Sequence, residues 1–267
     1  MPFAESNDIQ LYYEIYGWQR KTPLVLINGI GQWHAAWRRN VDALAQHFRV
    51  IAFDSRGVGS SSKPDAAYTL DMMAADTLGL LDALDIEQAH VLGHSLGGGI
   101  AMMMAHQAPH RVGKMVMVST LYWGPKVTMP SPRAMQVIQD RSGPPLDLIR
   151  RGTAVSCAPG YEERDPQGFQ MLIDMRFNSQ QTPVLYGYHA GAGLAYFQQD
   201  HVASLTPPNP VLLLVGEHDE VAPPANSHAI AAAWPGSQTV IIPNAGHLVN
   251  IEQPQAFNQA VIEFLED

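Results

Sequence analysis

Apolar residues fall along the chain in two kinds of pattern. Residues 9–17 (IQLYYEIYG) partly alternate apolar and polar positions, as a strand with one covered face does. Further on the pattern changes. LVLIN (24–28), FRVIAFD (48–54), AHVLGH (89–94), MVMVS (115–119), VLLLVG (211–216) and QTVIIP (238–243) are short and almost continuously apolar. Such runs predict parallel strands buried on both faces. Helical spacing appears between them: in YTLDMMAADTLGLLDAL, Leu70, Met73, Ala74, Thr77, Leu81 and Leu84 recur on one face. A last helix is predicted from about Pro254, a favoured first-turn residue, with Phe257, Val261, Phe264 and Leu265 as its apolar stripe. Strands alternating with helices predict an α/β architecture, a mostly parallel sheet with helices on both faces.

The alternation stops between Leu121 and Pro208. This stretch holds Pro125, Pro130, Pro132, Pro144 and Pro145, together with Arg133, Arg141, Arg150, Arg151, Arg164 and Arg176, and offers helical fragments without a clear strand. It reads as a helical lid inserted between the sixth and seventh strands, so the expected division is a core of residues 1–120 and 209–267 and a lid of residues 121–208.

Composition narrows the partners. A hydrophobic content of 46% over 267 residues allows a sizeable core, and a net charge of −9 without a basic block argues against nucleic acid or an anionic membrane as partner. No apolar run approaches the ~18 residues of a membrane span, and the first residues, MPFAESND, lack the pattern of a signal peptide. The single cysteine, Cys157, reads as a buried small hydrophobe, and no Cys cluster suggests structural zinc. The expected setting is a soluble, cytoplasmic monomer or small homo-oligomer acting on a small molecule.

The strongest chemical signal is VLGHSLGGG (91–99): a strand ending at Gly93, then Ser95, then glycines opening a helix. Gly-x-Ser-x-Gly between strand and helix is the setting of a nucleophile elbow. The turn is so sharp that the residues two positions either side of the serine must be small, and the hydroxyl stands at a helix N-terminus that favours negative charge. A serine needs a base. Of 11 histidines, His247 follows the last predicted strand, where its loop emerges beside the serine at the carboxyl edge of the sheet. His94, next to Ser95, is expected to point away and pack. His34, His47, His106, His110, His189, His201 and His228 have no matching context and read as surface or structural. The acid that orients the imidazole is sought among Glu217, Asp219 and Glu220, just past a strand, and Asp219 has the Gly-x-x-Asp spacing. The chain order is Ser95, Asp219, His247. Asn28-Gly29, a strong hairpin signal, is followed here by a helix start rather than a pairing strand.

Over nearly its whole length the chain resembles the α/β-hydrolase fold family. The resemblance is carried by the Asn28-Gly29 turn, the run Asp54-Ser55-Arg56-Gly57-Val58-Gly59-Ser60, Gly93-His94-Ser95-Leu96-Gly97-Gly98, Gly216-Glu217-His218-Asp219, and Gly246-His247 with Glu252-Gln253-Pro254. It implies an α/β-hydrolase fold and a serine triad, with Asp54 and Arg56 as scaffold residues. The turn Asn28-Gly29-Ile30-Gly31 stands where the family commonly has His-Gly. With the His-x-x-Asn-Ile-Glu run from His247 to Glu252, it is similar to the branch of 3-oxoadipate enol-lactonases and related carboxylesterases.

The expected reaction is hydrolysis of a carboxylic ester or lactone through an acyl-enzyme. Ser95, His247 and Asp219 act as triad, and the backbone N–H groups of Ile30 and Leu96 form the oxyanion hole. The reaction calls for no metal and no organic cofactor. An aspartate nucleophile would mark a dehalogenase or epoxide hydrolase, and Ser95 speaks against both. Carbon–carbon hydrolase, thioesterase and perhydrolase chemistry stay open, as does a ligand-binding receptor on a hydrolase scaffold. Met102, Met103 and Met104 either touch the acyl pocket or pack the helix.

Overall fold

The computed structural model describes residues 2–140, 142–207 and 209–267. Arg141 and Pro208, which the sequence places in the inserted stretch, lie outside the described residues. Among the latter, one sheet contains β1 (Phe3–Ser6), β2 (Ile9–Tyr16), β3 (Pro23–Ile27), β4 (Arg49–Phe53), β5 (Ala89–His94), β6 (Val112–Val118), β7 (Val211–Gly216) and β8 (Gln238–Ile242). Their order is β1-β2-β4-β3-β5-β6-β7-β8. β2 pairs antiparallel with β1 and β4, and all other pairings are parallel.

Helices flank the sheet: α1 (Val41–Leu44), α2 (Leu70–Ala83) and α3 (Leu96–Gln107) come between β3 and β6, and α10 (Ala225–Ala233), α11 (Val249–Glu252) and α12 (Pro254–Glu266) after β7. Between β6 and β7 the described residues form helices and no strand: α4 (Pro132–Gln139), α5 (Pro145–Ser156), α6 (Tyr161–Arg164), α7 (Pro166–Phe177), α8 (Pro183–Leu194) and α9 (His201–Ser204), with a short 3-10 turn after α8. No helix among the described residues is long and apolar enough to cross a membrane.

The continuous apolar runs are buried on both faces because successive side chains point to opposite sides. Leu24, Leu26, Leu92, Val116, Leu212 and Leu214 join one core layer, where Phe257, Val261, Phe264 and Leu265 of α12 cover them. Val25, Ile27, Val91, Met115, Met117 and Leu213 join the other, under α2 and α3, and Met102, Met103 and Met104 are buried in this layer as helix packing. A third cluster joins the insert to the core, with Cys157, Tyr161, Phe169 and Leu172 against Ala36, Leu248 and Ile251.

β1 has no counterpart in the sequence reading. It is four residues long, and a turn in which Asn7 and Asp8 both have positive φ (47° and 60°) folds it onto β2. That backbone is what a tight hairpin requires, and Asn and Asp tolerate it. β6 also starts three residues before the predicted MVMVS run, at Val112.

The chain runs from β3 outward to β4 and then returns to place β5 on the other side of β3. Strand order therefore reverses between β3 and β5, and ligands in open α/β sheets bind at the carboxyl ends of such a pair. The Asn28 loop leaves β3 there and Ser95 leaves β5, with Ile27 and Gly93 in register.

Candidate active site

Ser95 is the sole residue between β5 and α3, with φ 54° and ψ −116°. A non-glycine residue holds such a conformation only when its surroundings over-determine it, at a cost of about 1–3 kcal/mol. Here the Ser95 N–H donates to Val118 O at 2.8 Å, and the Thr120 hydroxyl donates to Ser95 O at 2.9 Å. The flanking glycines are compelled by contact. A Cβ on Gly93 would strike the Gly97 carbonyl, and one on Gly97 the Ile27 carbonyl.

The Asn28 loop lies against this turn. Asn28 Nδ2 donates to Phe53 O at 2.8 Å, tying the loop to the end of β4. A Cβ on Gly29 would lie 2.9 Å from Ser95 Cβ, so only glycine allows this approach. The Gly29 N–H donates to Gln32 Oε1 at 3.1 Å, and Gly31 has φ 73°. Among the described residues, the N–H groups of Ile30 and Leu96 have no protein acceptor. The loop then enters a short 3-10 turn, His34–Trp37, anchored by Asp54. Asp54 Oδ1 accepts from the His34 N–H at 2.8 Å, and Oδ2 accepts from the Ser60 N–H at 2.8 Å. Arg56 pairs with Asp76 of α2, at 2.5 and 2.6 Å.

Asp219, beyond β7, and His247, beyond β8, come together. His247 Nδ1 lies 2.9 Å from Asp219 Oδ2 and 3.1 Å from Oδ1, and both residues are buried. The N–H groups of Val221 and Ala222 donate to Asp219 Oδ1 at 2.9 and 2.7 Å, fixing the carboxylate. The other two acids point elsewhere: Glu217 accepts from the Asn244 N–H, and Glu220 holds Ser131 and Arg133 of the insert. The Ser95 hydroxyl has no protein partner among the described residues. In ligand-free sites such hydrogen bonds are often long and tighten only around substrate.

His94 packs, as expected of it, and it also bridges. Its Nδ1 is 3.0 Å from Gln32 Oε1 and its Nε2 is 2.8 Å from His247 O, which links the Asn28 loop to the His247 loop beneath Ser95. Burial, the His247 ring and the Arg176 charge hold its pKa down to about 3, so it is neutral at pH 7. Its single N–H then serves one of the two acceptors.

Glu252 has a second tie that its sequence motif does not disclose. Its carboxylate accepts from the Gly246 N–H at 2.9 Å and from the Ala158 N–H of the insert at 2.7 Å. Burial pushes its pKa up to about 7, the donated N–H bonds oppose the shift, and the Asp219 charge adds to it. The His247 N–H donates to Ser156 O at 2.8 Å. A Cβ on Gly246 would lie 2.6 Å from the Cys157 carbonyl carbon. The histidine loop is thus clamped to residues 156–158. Burial drives the Cys157 thiol pKa far upward and leaves it a protonated packing group.

The insert also rests on the Asn28 side. Trp33 Nε1 donates to Met175 O at 2.9 Å, and the Gly59 N–H donates to Ser179 O at 2.7 Å. His189 of α8 is buried, with Nε2 2.7 Å from Arg56 O, and burial lowers its pKa to about 4.

The chain matches the α/β-hydrolase fold family over residues 22–254. The 3-oxoadipate enol-lactonase 2 of Acinetobacter baylyi is 28% identical over 258 residues, covering 96% of this chain and 93% of that one. A protein named as a carbamate hydrolase, from Azorhizobium caulinodans, is 28% identical over 271 residues, covering 99% and 98%. Among solved structures, the enol-lactonase of Burkholderia xenovorans LB400 superposes with a TM-score of 0.85 at 28% identity, over 100% of both chains. Sheet order, serine turn and family match agree: this chain is a member of the α/β-hydrolase fold family.

Proposed function

We propose that the protein is a serine hydrolase of small carboxylic esters or lactones, working through an acyl-enzyme. The observation that carries this reading is the left-handed Ser95 at the β5–α3 turn, with the hydrogen-bonded His247–Asp219 pair at the same edge of the sheet. Ser95 Oγ attacks the carbonyl carbon while His247 Nε2 takes its proton. Asp219 keeps the proton on Nδ1 and stabilises the imidazolium. Negative charge developing on the carbonyl oxygen meets the Ile30 and Leu96 N–H groups, which have no protein acceptor. Losing one such donor typically costs about 3 kcal/mol of barrier lowering. His247 then protonates the leaving oxygen, and water deacylates Ser95 through the same histidine.

Two subsidiary roles complete the proposal. Residues 121–208 form a lid, docked to the Asn28 loop through Trp33 and to the histidine loop through Glu252. His94 and Gln32 hold the two loops at fixed separation. The enol-lactonase relatives favour esters and lactones, and the carbamate-hydrolase relative places a carbamate among the substrates to be tried.

The test is a panel of p-nitrophenyl esters, enol-lactones, thioesters, carbamates and vinylogous diketones, run with wild type and Ser95→Ala. Ester or lactone turnover abolished in Ser95→Ala supports the reading. Preference for diketones overturns the ester assignment while keeping the triad, and equal ester turnover in both proteins removes the triad.

A further inference from the structure

The two edges of the sheet are finished differently. β1, at one end, is four residues long and exposes Glu5, and the Ser6 hydroxyl ties it to α2 by donating to Asp76 O at 2.9 Å. Short length and an exposed charge are usual protections of a strand edge. β8, at the other end, reads Gln238-Thr239-Val240-Ile241-Ile242. It carries no charge, no proline and no bulge, and Ile241 is 42% exposed.

The backbone of β8 has a fixed parity. The Glu217 N–H donates to Ile242 O at 2.9 Å, so the backbone groups of Ile242 face β7. Alternation along a strand turns those of Val240 the same way, and those of Thr239 and Ile241 outward. Among the described residues, nothing accepts from these two outward N–H groups or donates to these two carbonyls. The side chains follow the same alternation. Val240 and Ile242 pack into the layer that α12 covers, which leaves Thr239 and Ile241 on the opposite face.

Outward groups at two positions, one residue apart, are self-complementary. Residues that face each other in an antiparallel pair exchange both N–H···O bonds at every second position. With a two-fold axis at Val240, Thr239 meets Ile241 of a second copy and Ile241 meets its Thr239. All the outward groups are then filled, by four hydrogen bonds. Charge selects the same occupant. Chains of net charge −9 repel one another, so copies meet where charge is absent. Residues 221–251, which include α10, β8 and His247, contain no Asp, Glu, Lys or Arg.

We propose that β8 is the junction of a two-fold homodimer, in which two copies of this chain join their sheets edge to edge. β6 and β7 separate β8 from the β3–β5 crevice, so the junction leaves both crevices free. The two β8 strands run oppositely, and the crevices open at opposite sides of the pair.

The experiment is sedimentation equilibrium of the full chain across a concentration series. Wild type is expected at twice the chain mass by about 50 µM. Ile241→Pro removes an outward N–H that the single chain does not use, as an edge strand tolerates. It takes two of the four bonds from the pair and is expected to raise the dissociation constant by about 30-fold. The double variant Thr239→Lys with Ile241→Lys sets lysines directly opposite each other across the junction and is expected to sediment as single chains. The same holds for Thr239→Glu with Ile241→Glu, and mixing the lysine and glutamate chains is expected to restore pairs containing one of each. Wild type that stays single at about 200 µM overturns the junction and leaves the edge to another partner or to none. An assembly whose dissociation constant is the same in Ile241→Pro places the contact elsewhere and also overturns it. If Ile241→Pro fails to fold, the charged chains decide. Pairing of either with itself, or no pairing on mixing, overturns the proposal.

Discussion

The crevice has a sheet side and an insert side, and the two treat their charged and polar groups differently. On the sheet side, Asp54 takes backbone N–H groups from two segments, Arg56 is forked onto Asp76, and Asp219 holds His247 while accepting two N–H groups of its own loop. On the insert side, Arg176 and Gln181 face the Asn28 loop with donors unfilled. A floor whose charges are already satisfied keeps its geometry before substrate arrives, which is what electrostatic preorganisation requires. The insert side, by contrast, leaves polar groups that the protein's own contacts do not fill.

The largest effects belong to the floor. Ser95→Ala or His247→Ala is expected to lower kcat for a p-nitrophenyl ester by a factor on the order of 10⁵–10⁶. Asp219→Asn is expected to lower it by about 10⁴, since it leaves the imidazole in the wrong tautomer. Steady-state kinetics after active-site titration checks both, and a loss below about tenfold in any of the three would break the contrast.

At the junction, Ile30→Pro removes one N–H and is expected to lower kcat by about 10²–10³, whereas Ile30→Ala, which keeps the N–H, should change it less than about threefold. Similar rates in the two variants would move the oxyanion hole off this loop.

A further effect is expected on stability rather than rate, through Glu252. Its folded pKa, about 7, lies above its ordinary value of 4.5. The folded state therefore holds the proton more tightly than the unfolded one. This contribution is complete below about pH 4.5 and fades as pH rises toward 7, a loss of about 3 kcal/mol. Glu252→Gln, measured by urea unfolding across that range, should flatten this part of the pH dependence. An unaltered slope would assign the ionisation elsewhere.

What was legible in the sequence is what is local in it. Buried parallel strands announce themselves as apolar runs, and the serine turn as glycines at fixed offsets, because a Cβ at Gly93 or Gly97 has no room. β1 escaped because four residues carry too little pattern and its hairpin turn is Asn-Asp rather than Asn-Gly. The bridging of His94, the clamp of Glu252 and the isolation of Arg176 were not legible. His94 meets partners 62 and 153 residues away, and Glu252 meets Ala158 across 94 residues. Among the described residues, Arg176 differs from Arg133, Arg150, Arg151 and Arg164 in that no hydrogen bond or ion pair holds its side chain, and a sequence does not display a missing contact.

Everything proposed for the crevice turns on Ser95 being the nucleophile that His247 activates. The most direct measurement is intact-mass and peptide analysis after treatment with a fluorophosphonate. One phosphonyl adduct per chain is expected, on the peptide containing Ser95, absent in Ser95→Ala and formed at least about 100-fold more slowly in His247→Ala. An adduct on another residue, or labelling of Ser95 at an undiminished rate without His247, would contradict it.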